Sequence, residues 1–162
     1  MKQVQQQIQR QVQQAIDDLV ESGAERGMQV AVYHGGELVV DAVAGIADPS
    51  TGRTVRSDTP FHNFSIGKGA ASTVAHVLAE RGLFGYDTPV VDLWPDAIGR
   101  PGALSAPQES ASVFGIGGVS GSFAYGDTST GVAFALTKNR LTQDFSAVAQ
   151  LSQLVTDALA DS

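Results

Sequence analysis

Ser65 and Lys68 lie three residues apart in the run Phe61-His62-Asn63-Phe64-Ser65-Ile66-Gly67-Lys68-Gly69. Directly after them, residues 69–81 (GAASTVAHVLAER) carry apolar side chains at Ala70, Val74, Val77 and Leu78, with a stop at Gly82. That spacing predicts a helix over 66–81, with Ser65 at the loop-to-helix junction. Positions three apart share a helix face, so the Lys68 amine can lie under the Ser65 hydroxyl and take its proton. A serine hydroxyl is a poor nucleophile without such a base. The lysine in turn must have its pKa lowered by burial or by positive potential, and a helix N-terminus supplies the latter. General-base help of this kind is worth about 10²–10⁴-fold. From spacing alone the plainer reading, a capping serine and a surface lysine, has the stronger claim.

The flanks change that balance. MQVAVYHGGELVVDAVAGIADPSTGRTV, then DTPFHNFSIGKG, then LAERGLFGYDTPVVDLWP, resembles the start of the class C β-lactamase-like enzymes, most nearly their serine esterases. VFGIGGVSGSFAYGDTSTGVAFALTKNR resembles the strands that close the active site in that family. The resemblance covers roughly residues 10–95 and 113–158. Ser-x-x-Lys is one of three motifs that mark serine β-lactamases and penicillin-binding proteins. The second, a Tyr-x-Asn whose tyrosine shares base duty with the lysine, is absent. The third, Lys-Thr-Gly, His-x-Gly or an aromatic variant in the family, is replaced by Ile116-Gly117-Gly118. Where a helical domain would separate the two blocks, the chain has only Asp96 to Ser112 (DAIGRPGALSAPQESAS), a small, polar, Pro- and Gly-containing join.

The resemblance implies Ser65 as nucleophile and Lys68 as base. It also implies an oxyanion hole from the backbone N–H groups of Ser65 and Val119. Such a donor is worth about 2.7–4 kcal/mol, and it survives replacement of the side chains around it. Gly117 and Gly118 would let a substrate approach closely, although Gly117, Gly118 and Gly121 serve equally to shape an edge strand. Ile116, Gly117, Gly118, His62 and Tyr125 complete the candidate substrate contacts. His62 would orient a ligand there, or else serve as a packing or surface residue. Tyr33 and Tyr86 read as framework, and Trp94 as core or interface. The family uses no metal or organic cofactor, and none is expected.

Composition sets outer limits. One truncated domain over 1–162 is expected, long enough to bury a core. A net charge of −7 argues against nucleic acid or an anionic membrane as partner. With no cysteine there is neither a disulfide framework nor thiolate chemistry. His34, His62 and His76 show no metal-ligand spacing. No apolar run is long enough to span a membrane, and the glutamine-rich start has no signal-peptide core, so a cytoplasmic location is expected.

The elements that must position the site read as α, β-β, α, β-β, α. Val4, Ile8, Val12, Ile16 and Leu19-Val20 predict a helix over 3–21, with glutamines on a solvated face and Gly23 and Gly27 at its end. Met28–Tyr33 and Glu37–Ala44 predict a hairpin about His34-Gly35-Gly36. A loop over 45–60 follows, and Asp87–Leu93 predicts a short helical turn. Val119–Tyr125 and Gly131–Thr137 predict a second hairpin, and Phe145–Leu159 a closing helix. This is an α+β fold, an antiparallel sheet flanked by terminal helices and the Ser-x-x-Lys helix. By resemblance it is the α/β half of the β-lactamase fold. Loss of the helical half would bare one side of the sheet, which predicts a homodimer.

Two functions fit. One is a reduced serine hydrolase acting on a small ester or amide, since no residue is assigned to a β-lactam carboxylate. The other is a non-hydrolytic small-molecule binding protein, or a biosynthetic cyclase or isomerase, on a degenerate scaffold.

Overall fold

The computed structural model describes residues 2–94 and 112–160. In chain order the elements are α1 (Lys2–Glu21), β1 (Gly27–His34), β2 (Glu37–Asp48), β3 (Arg53–Thr54), α2 (Ile66–Glu80), α3 (Val90–Leu93), β4 (Val113–Gly117), β5 (Phe123–Asp127), β6 (Val132–Lys138) and α4 (Ser146–Ala160). They fall into two compact units, one drawn from 1–66 and 112–162, the other from 67–111. The join read over 96–112 lies, apart from Ser112, outside the described residues.

The first unit is one antiparallel sheet in the order β3-β2-β1-β6-β5-β4. Alternation decides its faces. Met28, Val30 and Val32 of β1, Val40 and Ala42 of β2, and Phe134 and Leu136 of β6 are buried against α1 and α4. The helices answer with Ile8, Val12 and Ile16 from α1 and Val148, Leu151 and Val155 from α4, stripes at helical spacing. Fully burying each such side chain is worth about 1.5–3 kcal/mol, so this face holds the fold together. The α+β class expected from the sequence is the architecture found.

The glutamines of α1 do more than face water. Gln9 Nε2 donates to the Asp41 carbonyl at 3.1 Å, and the Asp41 N–H donates back to Gln9 Oε1 at 2.8 Å. Gln13 Nε2 donates to the Val43 carbonyl at 3.0 Å. Beyond β1, among the described residues, β2 pairs only with the two residues of β3. The glutamines thus satisfy part of a strand edge that would otherwise offer itself to another chain.

Two turns share one construction, Asp48-Pro49-Ser50-Thr51-Gly52 and Asp127-Thr128-Ser129-Thr130-Gly131. In each, Oδ1 of the aspartate accepts from the serine N–H and hydroxyl and Oδ2 from the threonine hydroxyl. The glycine N–H closes on the aspartate carbonyl at 2.9 Å in both. Gly52 (φ 71) and Gly131 (φ 70) take the left-handed conformation that this closure requires.

Three expectations are corrected. The 45–60 stretch is not all loop, because β2 continues to Asp48 and β3 pairs with it. Val113–Gly117 is a strand of its own, pairing with β5. Val119 to Gly121 is not strand but part of the turn joining the two, closed by Gly118 N–H to Ser122 O and Gly121 N–H to Gly118 O, both 2.9 Å. Gly121 stands there at φ 77, off the extended conformation a strand needs.

In the second unit α2 ends as its sequence predicts. Gly82 adopts φ 74, its N–H donates to Ala79 O at 2.9 Å, and the Leu83 N–H donates to Leu78 O at 3.1 Å, the paired bonds of a Schellman stop. His76 Nδ1 meets the Tyr86 hydroxyl at 3.0 Å. Leu83, Tyr86, Val90 and Trp94 are exposed, so Trp94 is not a core residue. No helix among the described residues is long and apolar enough to cross a membrane.

Candidate active site

The site is built from two backbone segments of the first unit, the loop that delivers Ser65 and the turn that follows β4. Gln29 holds the loop. Its β1 neighbours Met28 and Val30 face the helices, so Gln29 faces the other way. There its Nε2 donates to Arg56 O (2.7 Å), Thr59 O (3.0 Å) and Ser57 O (3.3 Å), while its Oε1 accepts from Thr137 Oγ1 at 2.8 Å. The chain then passes through Phe61 to Phe64, with the His62 and Phe64 rings edge to face at 4.6 Å.

Ser65 follows at φ 64, the one non-glycine with positive φ among the described residues. A left-handed backbone costs a residue with a Cβ about 1–2 kcal/mol. Such strain persists only where the surroundings enforce it, and it gathers at functional sites.

Gly118 lies against the peptide that leads into Ser65. A Cβ on Gly118 would lie closer than 3.0 Å to the Phe64 carbonyl oxygen, a separation real Cβ atoms essentially never show, and 3.2 Å from the carbonyl carbon. The Phe64–Ser65 peptide, which carries the Ser65 N–H, therefore packs directly on the turn that carries the Val119 N–H. Gly117 is also crowded, with Phe145 and Phe123 ring atoms 3.1 and 3.2 Å from where its Cβ would be.

Register sorts the remaining candidates. Ile116 pairs with Ala124, Ala124 with Ala135, and Ala135 with Ala31, so these four share the face away from the helices. Tyr125 pairs with Phe134, a core residue, and stacks on its ring at 5.6 Å. Burial pushes its phenol up, a hydrogen bond with the Thr156 side chain works against this, and the Asp127 charge adds to the rise. Tyr125 thus belongs to the helix side, apart from Ile116, which corrects its place among the candidate contacts. His62 is exposed beside Phe64 in the Ser65 loop. Lys68 is the third residue of α2 and is exposed. No cluster of acidic, histidine or cysteine side chains able to hold a metal occurs among the described residues.

Two residues that motif reasoning passed over stand beneath the turn. Lys138 is wholly buried and paired with Glu25, itself buried. The signal was in the alternation, since Val132, Phe134, Leu136 and Lys138 all fall on the inward side of β6.

The family model described as Beta-lactamase matches residues 12–111. The chain belongs to that family. Among curated proteins, the "Esterase/beta-lactamase LipL" of Mycobacterium tuberculosis (strain ATCC 25618 / H37Rv) is 42% identical over 69 residues. That match takes in 43% of this chain and 16% of the relative. Among solved structures, a family VIII carboxylesterase is 38% identical, with a TM-score of 0.48 over 55% of this chain and 24% of the other. The chain thus spans a small part of the relatives it matches.

Proposed function

We propose that the chain carries the acyl-transfer site of a serine hydrolase acting on small, uncharged esters or amides. The observation that carries this reading is the strained Ser65 (φ 64), its peptide packed on Gly118 at the head of the turn. Ser65 Oγ attacks the carbonyl carbon as its proton passes to Lys68. The oxyanion so formed accepts from the N–H groups of Ser65 and Val119. Collapse expels the alcohol or amine with the proton from Lys68, leaving Ser65 acylated. Water then attacks the ester, frees the acid and restores the serine.

Family membership and the esterase/beta-lactamase relative support the reaction class, and the Ser-x-x-Lys motif, Ser65 to Lys68, supports Lys68 as base. Ile116 supports the substrate class. Among Ala31, Ala124 and Ala135 it offers an apolar wall where the resembled enzymes place a polar or aromatic group, so a substrate carboxylate finds no partner there. The exposed Leu83, Tyr86, Val90 and Trp94 support self-association, which light scattering would read as twice the chain mass.

The test is intact-mass measurement after treatment with a fluorophosphonate. Ser65 attacks phosphorus, fluoride leaves, and one adduct forms. The adduct is expected in the parent and absent from Ser65→Ala; a folded parent without it, or an adduct that persists in Ser65→Ala, rejects the reading. A Lys68→Ala variant that labels as fast as the parent removes the lysine from the base role.

A further inference from the structure

We propose that Lys138 is a positioning residue for the reaction. It latches the turn 118–122 from beneath and so fixes where the Val119 N–H sits. The inference rests on the proposed role of that N–H as an oxyanion donor.

Lys138 is the last residue of β6 and is fully buried. Its ammonium has three hydrogens, and three acceptors surround it: Glu25 Oε1 at 2.5 Å, Asp144 O at 3.1 Å and Thr142 Oγ1 at 3.3 Å. The side-chain stem fills the space under Gly121. A Cβ on Gly121 would overlap Lys138 Cε and come within 2.8 Å of Nζ and 2.7 Å of the Asp144 carbonyl oxygen. Gly121 is thus held between the lysine and the start of α4. Its own N–H closes the turn on Gly118 O, and Gly118 packs on the Phe64–Ser65 peptide. The Lys138 backbone N–H donates to Ser122 Oγ at 3.3 Å, which ties the far end of the turn to the same residue. Glu25 anchors the other side, its N–H donating to Leu19 O where α1 leads into β1.

Stability does not account for this arrangement. A buried ion pair is often no better for stability than apolar residues of equal volume. Here it also comes with buried Glu25 Oε2 and Ser120 Oγ atoms that have no hydrogen-bond partner among the described residues. What the pair supplies is direction, since three fixed acceptors and a close contact leave the turn one place to sit.

The experiment compares the parent, Lys138→Met and the double variant Glu25→Met/Lys138→Met. The double variant removes both charges together, so that folding survives without a stranded carboxylate. Amide hydrogen exchange is read at Val119 and Gly121, against Val30 and Phe134 as core controls. Turnover is read on a short-chain p-nitrophenyl ester. In the folded double variant, exchange at Val119 and Gly121 is expected to rise about 10-fold with the core amides unchanged. kcat is expected to fall about 10-fold with KM unchanged, the signature of an interaction made only in the transition state. A folded double variant with parental exchange across the turn, or with parental kcat, overturns the proposal. A parent with no Ser65-dependent turnover defeats the hydrolase reading and with it the catalytic part. The exchange data then decide the latch alone, faster exchange upholding it and parental exchange ending it.

Discussion

Replacing Gly118 by alanine tests the central contact of the site. The added methyl would meet the Phe64 carbonyl oxygen at under 3.0 Å, and that oxygen belongs to the backbone, which cannot rotate aside as a side chain can. Overpacking of this kind costs about 1–3 kcal/mol. Gly118 does not occupy the left-handed region, so alanine recovers about 0.4–1 kcal/mol by restricting the unfolded chain. The net expectation is a loss of about 1–2 kcal/mol, measured by urea unfolding. The functional loss should be larger than the stability loss. Whichever segment yields, the Ser65 peptide and the turn move apart, and a misplacement of about 1 Å can cost about 10²-fold in rate. Gly45→Ala is the matched control. It would overlap the Arg26 carbonyl oxygen in the same way and adds strain at φ 82, but the contact lies where β1 begins, away from Ser65. Gly45→Ala should therefore lose at least as much stability and still label with fluorophosphonate at the parental rate per folded molecule. Gly118→Ala labelling at the parental rate would refute the reasoning, because it would show that the Phe64–Gly118 contact does not set the position of the nucleophile.

Tyr125→Phe should leave ester kcat/KM unchanged, since the ring stacks on Phe134 on the helix side, and a fall in kcat/KM would place the hydroxyl in the site. Gln29→Ala releases the carbonyls of Arg56, Ser57 and Thr59 together and should cost about 1–3 kcal/mol. The same variant should slow fluorophosphonate labelling, and an unaltered labelling rate would show that the 56–59 loop does not hold Ser65. The Asp127 carboxyl is lowered to about 2 from 3.8, first by the Ser129 hydroxyl and N–H. Because the folded value lies below the unfolded one, its contribution is present above about pH 4 and lost as pH falls toward 2. Stability of the parent should fall more steeply over that interval than stability of Asp127→Asn, and superimposable acid profiles would contradict it.

Much of the fold is legible in the sequence because it depends on repeating patterns. The α1 and α4 stripes, the β1–β2 hairpin and the Gly82 stop follow from periodicity and from glycine's access to positive φ. The turn at Gly118–Ser122 is not legible in the same way. Val119-Ser120-Gly121-Ser122 carries the alternation of a strand, and only the closure of Gly121 on Gly118 breaks it. The doubled Asp-x-Ser-Thr-Gly turn stands in the sequence, but its meaning lies in hydrogen bonds that no composition count registers. Of the site, the serine's place before a helix is read from spacing. Its positive φ is not, because no residue type around it calls for a left-handed serine, and the Gly118 backbone that packs on its peptide lies more than fifty positions away. Lys138 was hidden for the opposite reason. Its place on the inward side of β6 follows from alternation, yet a lysine at a strand end is ordinarily read as solvated, and its burial depends on Glu25, Thr142 and Asp144, which come from elsewhere in the chain.

On the proposed reading, the nucleophile and base are side chains and the oxyanion site is main chain. The two oxyanion donors are amides, and the contact that brings them together needs a glycine for its lack of a side chain. Side-chain motifs select what is bound, whereas amide donors act on charge that develops only as the carbonyl is attacked. On that reading, Ile116 in place of a polar third motif alters substrate range more than it alters oxyanion stabilisation. The expected pattern is selectivity for esters with good leaving groups over amides and over substrates bearing a carboxylate. It also follows that Ile116→Lys should change which substrates are accepted, bringing in anionic ones through KM, and should leave kcat on a neutral p-nitrophenyl ester within about twofold. A kcat that collapsed on the neutral ester, in a variant that kept its fold, would mean that the side chain at 116 takes part in the chemical step and that the backbone account of the site is wrong.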